Sequence, residues 1–162
     1  MNFTYHPTLC AKEFGEYGIG NNITIKNGEF NNDAVYYGVV DNKINYSDLT
    51  GDGKNEAIIE IYCGSQLGNY SLDEIFIYTI RNGHPTILTA TSQETIENDY
   101  FNYYSDGWVI WRISNIEANN GSLTIDTFAD GLHCCPEYNV KFTYQWDGRQ
   151  LVLKNEPLRT PF

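Results

Sequence analysis

The sequence is short of positive charge. Lys and Arg number 10 against 21 Asp and Glu, for a formal net charge of −11 over 162 residues. The cations are scattered singly, whereas nucleic-acid binding draws on clustered cations that displace counterions from phosphates. That partner is excluded on this reading, and docking on an anionic membrane surface is disfavoured for the same reason. A cationic partner or a divalent metal suits the balance better, and the charge also serves solubility. Long apolar runs are missing too. None approaches the roughly 20 residues of a transmembrane span. The start, MNFTYHPTLCAKEFGEYG, lacks the basic opening and apolar stretch of a signal peptide. Either the protein is cytoplasmic, or a signal or lipoprotein leader precedes Met1 in its precursor.

Enzyme signatures are equally scarce. The chain has no GxSxG, no HExxH and no phosphate loop. No CxxC occurs, so neither a zinc ribbon nor a thioredoxin-type site is indicated. The four cysteines are Cys10, Cys63, Cys134 and Cys135, and four cysteines allow three pairings. A bridge between the adjacent Cys134 and Cys135 needs a strained eight-membered ring. The preferred pattern therefore bonds each of them to one of Cys10 and Cys63. Oxidised cysteines point outside the cytosol, to a periplasmic or secreted protein. On an extended strand, neighbouring Cys134 and Cys135 would face opposite ways and would not converge on one ion.

What the chain has in quantity is aromatic and β-branched residues, with 13 Tyr, 8 Phe and 3 Trp, which favour strands. Asn27-Gly28, Asn82-Gly83, Asn120-Gly121 and Asp147-Gly148 are pairs suited to type I′ hairpin turns, each beside β-rich runs. Val140, Phe142, Tyr144 and Trp146 alternate with Lys141, Thr143 and Gln145, the period of a half-buried strand. AIIEIYC (Ala57–Cys63) reads as a central strand. No long stretch shows a helical period, and a short helix is placed near Pro7–Phe14. The expectation is a single mainly-β domain over 1–162, with roughly eight or nine hairpin-linked strands in a bent sheet, sandwich or partly open barrel. The stretch 91–107, TSQETIENDYFNYYSDG, reads as a long polar and aromatic connection.

Asp48–Glu56 reads DLTGDGKNE. In a calcium loop of the form D-x-[DN]-x-[DN]-G, oxygen ligands would come from Asp48, Thr50, Asp52, the Lys54 carbonyl and Glu56. Position 12 is Ile59 and no helix pattern flanks the loop, so it is not an EF-hand. The alternative is an Asx-type turn, in which Asp48 and Asp52 accept backbone N–H bonds.

The β-loop-β setting resembles the calcium loops of integrin-α-type (FG-GAP) repeats, with Thr50 where those carry Asp or Asn. Taken together, NYSDLTGDGKNEAIIEIYC, HCCPE and YQWDGRQLVL resemble the LppP/LprE-type family of bacterial lipoproteins and secreted relatives, over roughly the last three-quarters of the chain. The resemblance implies an extracytoplasmic location and no established enzymatic activity.

Two further groups bear on function. Tyr100, Tyr103, Tyr104 and Trp108, in or beside the long connection, are candidates for stacking on a carbohydrate or anchoring a protein ligand. Trp108 and Trp111, three apart, are expected on opposite strand faces. Asp130 and His133 form a candidate acid–base pair, though such spacing in a turn is usually a local hydrogen bond. The leading expectation is a non-enzymatic extracytoplasmic binding or structural domain. The alternatives are an envelope hydrolase using carboxylates near 91–107 and a protein inhibitor of such a hydrolase.

Overall fold

The structure is a computed structural model that describes residues 2–5, 8–14, 23–66, 71–119, 121–132 and 134–162. Strand accounts for 60% and helix for 11%, so the mainly-β expectation holds. Among the described residues, twelve strands, rather than eight or nine, form two antiparallel sheets.

The first sheet runs in chain order: β1 (Asn2–Tyr5), β2 (Ile23–Lys26), β3 (Glu29–Asn31), β4 (Val35–Ser47), β5 (Glu56–Ser65), β6 (Ser71–Arg81) and β7 (His84–Ser92). The second contains β8 (Ile110–Asn119), β9 (Ser122–Ala129), β10 (Tyr138–Trp146) and β11 (Leu151–Leu153), with β12 (Leu158–Pro161) paired to β10. One of the sheets curls into a half-barrel. Among the described residues two helices interrupt the strands, α1 (Leu9–Phe14) and α2 (Gln93–Phe101).

The turn chemistry explains the hairpins. Asn27 and Gly28 both have positive φ (53° and 88°), as do Asn82 and Gly83 (53° and 78°), which is the type I′ requirement. Asp147-Gly148 differs from expectation. Gly148 alone of the two has positive φ, and Asp147 Oδ1 accepts Arg149 N and Gln150 N, both at 2.8 Å. Asn120 lies outside the described residues.

Alternation along the central strands builds two cores. On β5 and β6, Ile58, Ile75 and Ile77 turn toward the second sheet, where they meet Ile110, Ile125, Val140 and Phe142. Each such side chain contributes roughly 1.5–3 kcal/mol by leaving water. On the opposite face, Ile59, Ile61, Cys63, Leu72 and Phe76 pack with β2, β4 and α1. The expected short helix is present as α1. Cys10 on it is bridged to Cys63 on β5 across a Cα separation of 6.1 Å. Buried Glu74 fixes its start, with Oε1 accepting Thr8 N and Leu9 N, each at 2.8 Å.

This pairing corrects the expected one. Cys134 and Cys135 are bonded to neither Cys10 nor Cys63, because α1 sits directly on β5 while the adjacent pair lies in an exposed turn elsewhere. The long connection is corrected as well. Its first half is α2, N-capped by Ser92, whose hydroxyl accepts Thr95 N, and held by buried Gln93, Ile96 and Tyr100. Among the described residues, no helix is long and apolar enough to cross a membrane.

Candidate functional site

β7 and β11 are edge strands, one from each sheet. A cleft of about 730 Å³ opens between them beside α2. Thr91 of β7, Asp99 and Asn102 from α2 and its cap, Tyr103, Tyr144 of β10 and Gln150 line it. Tyr144 is nearly buried at its base, and its hydroxyl donates to Asp99 Oδ2 at 2.8 Å. Burial and that carboxylate both push the Tyr144 phenol well above its ordinary value, so it stays a neutral donor. Tyr103 is half exposed. Among the described residues, the lining offers hydroxyl and amide groups, one exposed aromatic ring, one carboxylate and no cation, beside an apolar wall of Ala90, Leu151, Val152 and Leu153.

The four aromatics expected to bind ligand separate. Tyr100 is fully buried and cannot meet a ligand. Its ring lies against Gly107, where any side chain would strike it, and its hydroxyl donates to Asp130 Oδ2. Desolvation first, then Asp130, raises the Tyr100 pKa above the ordinary range. Tyr104 is partly buried and donates to the Pro157 carbonyl at 2.6 Å. Trp108 is 56% exposed but lies away from the cleft. Only Tyr103 reaches the cleft.

Trp108 and Trp111 also correct the expectation of opposite faces. Their rings meet edge-on at 5.7 Å. Trp108 precedes β8, so the strand rule does not apply to it.

Asp130 is a structural centre. Its Oδ1 accepts Trp108 N at 2.8 Å, its carbonyl accepts the Trp111 indole at 2.9 Å, and its Oδ2 lies 3.3 Å from Arg159 Nη2. A carboxylate so engaged is not poised as a base. His133, its suggested partner, lies outside the described residues.

The DLTGDGKNE loop fastens itself. Asp48 Oδ1 accepts Gly51 N and Asp52 N at 2.7 and 3.1 Å, and Oδ2 accepts Gly53 N at 2.9 Å. Asp52 Oδ1 accepts Lys54 N at 2.9 Å, and the Lys54 ammonium stays exposed. Glu56 is fully buried. Its Oε2 accepts Leu49 N and Thr50 N at 2.9 and 3.1 Å, and its Oε1 accepts the Thr79 hydroxyl at 3.2 Å. Leu49 is thereby fixed in the core, and the Asp48 carbonyl accepts Gly121 N at 3.1 Å, tying the loop to the β8–β9 hairpin. Of the five residues expected around calcium, Asp48 and Asp52 turn their carboxylates to the loop's own backbone, Thr50 gives its N–H to buried Glu56, and Lys54 keeps its ammonium exposed. Among the described residues, no three acidic, His or Cys side chains converge as metal ligands. Glu56 was expected at the loop, but its role beneath it could not be read from spacing alone.

Comparison with protein-family models, curated proteins and solved structures finds no match to the chain.

Proposed function

We propose that this is a non-enzymatic, extracytoplasmic binding domain whose cleft between β7 and β11 receives a neutral carbohydrate. The observation that carries this reading is the lining. Hydroxyls, side-chain amides, one exposed tyrosine and an apolar wall, with no cation among the described lining residues, suit a ligand rich in hydroxyl groups that also presents apolar ring faces and carries no negative charge. The net charge of −11 disfavours acidic glycans in the same direction. Glycosidic hydrolysis uses two carboxyl groups flanking the bond, and Asp99 is the one carboxylate among the described residues lining the cleft. Within this cleft, that favours binding over hydrolysis.

The Cys10–Cys63 bridge supports an oxidising compartment, periplasmic or secreted. So does the resemblance to bacterial lipoproteins. In this reading the DLTGDGKNE loop is a fastener of the scaffold and not part of the ligand seat.

The test is a backbone-amide NMR titration with neutral glucose and N-acetylglucosamine oligomers at millimolar concentration. Shifts at Thr91, Asn102, Tyr103 and Gln150 are expected, and Tyr103→Ala should weaken binding about tenfold, the worth of one stacked ring of roughly 1–1.5 kcal/mol. Absence of shifts in the cleft with every oligomer would remove the carbohydrate reading.

A further inference from the structure

The turn between β9 and β10 holds Cys134 and Cys135 side by side. Both are exposed, and their sulfurs lie 2.9 Å apart. On a strand, adjacent side chains diverge to opposite faces. Here the backbone turns instead. Cys135 N donates to the Leu132 carbonyl at 2.7 Å, and the two sulfurs come into contact. Gly131, at φ +68°, brings the chain so close to the Cys135 carbonyl that a Cβ would lie 2.5 Å from it. The turn is therefore confined from both ends, by Gly131 before it and by β10 after it.

Neither sulfur contributes to the two cores, to the cleft or to the Asp130 cluster. A separation of 2.9 Å is less than an ångström beyond a covalent S–S bond of about 2.05 Å. We propose that Cys134 and Cys135 are a redox-convertible pair that closes as a vicinal disulfide. The oxidant is a small-molecule or protein disulfide, reacting by thiol–disulfide exchange. The Cys134 thiolate attacks one sulfur of that disulfide, forming a mixed disulfide and expelling a thiolate. Cys135 then loses its proton to solvent and attacks the Cys134 sulfur, forming the ring and expelling the second thiolate. Two thiols lose two protons and two electrons, and the oxidant is reduced to two thiols. The hydrogen bond to Cys134, and then its charge, raise the Cys135 pKa.

The test uses the native chain equilibrated across ratios of reduced to oxidised glutathione. Samples are acid-quenched, alkylated with N-ethylmaleimide in denaturant and digested with trypsin. Cleavage after Arg112 and Lys141 leaves both cysteines on one peptide, separate from Cys10 and Cys63. In oxidising buffers that peptide should be two hydrogens lighter and carry neither maleimide nor glutathione; in reducing buffers it should carry two maleimides. Cys134→Ser should instead hold glutathione on Cys135, because no neighbouring thiol can displace it. Persistent double alkylation of the native peptide, a stable glutathione adduct on it, or a cross-link to Cys10 or Cys63 would each overturn the proposal.

Discussion

The guanidinium of Arg159 lies 3.7 Å from the centroid of the Tyr138 ring. From that seat Nη2 reaches Asp130 Oδ2 at 3.3 Å and Nη1 reaches Asp106 Oδ1 at 2.9 Å. Arg159 sits on β12, paired opposite Val140 of β10, so one side chain joins the last strand to the β9 end and the loop after α2. Arg159→Ala should cost about 3 kcal/mol, since it leaves the buried Asp130 carboxylate without its cation. Arg159→Lys should recover little of this, because an ammonium cannot stack and reach both carboxylates at once. Urea midpoints measure both, and a midpoint for the Ala variant equal to that of the native chain would refute the account.

Glu56 decides what the DLTGDGKNE loop depends on. It is fully buried and holds Leu49 N, Thr50 N and the Thr79 hydroxyl. Glu56→Ala orphans two backbone donors and should lower stability by about 2–3 kcal/mol. Because the loop is closed by its own hydrogen bonds, the loss should be equal in millimolar calcium and in chelator. A native melting temperature that rises by several degrees with calcium alone would show that Asp48, Thr50 and Asp52 gather around an ion after all.

The Cys10–Cys63 bridge joins residues 53 apart in sequence, both fully buried. In the chain-entropy account a loop of that size is worth about 4 kcal/mol. Cys10→Ala with Cys63→Ala should lose most of that, and α1 should be the first element to gain amide exchange, as it is short and held to β5 and β6 at few points. Unchanged denaturant midpoints in the double variant would contradict this.

How far the sequence foretold this structure depended on the range of the forces involved. The Asn27-Gly28 and Asn82-Gly83 turns and the alternation Val140, Phe142, Tyr144 are local signals, and the structure bears them out. β12 has neither an alternating pattern nor a turn pair. It exists because Arg159 and the β10 edge hold it, a relation between residues far apart in sequence. α2 did carry a local signal, Ser92 as cap with Ile96 and Tyr100 one turn apart, but its nine residues are too short for periodicity to stand out. The cleft was only partly legible. Tyr103 was named, whereas Asp99 and Asn102, on α2 and its cap, meet Gln150 only through the approach of two sheet edges.

Asp73 sets a pH dependence with a definite sign. It lies on β6 facing the second sheet, with Oδ2 accepting Ile113 N at 3.1 Å. Burial raises its pKa from 3.8 to about 6, against the opposing pull of that hydrogen bond and of Arg112. A carboxyl whose folded pKa is raised binds its proton more tightly in the native state. Its contribution is thus fully present below pH 3.8 and is lost as pH rises through about 6. At pH 8 the buried charge should cost on the order of 2 kcal/mol relative to the protonated form, taking about 1.4 kcal/mol per pKa unit and allowing for relaxation. Asp73→Asn keeps an acceptor for Ile113 N and carries no charge. It should therefore melt higher than the native chain at pH 8, with the difference shrinking toward pH 4. Thermal melts of both proteins from pH 4 to 8 measure this, and a variant that is less stable at pH 8, or a gap that does not change with pH, would show that Asp73 is stabilised as a carboxylate by its neighbours.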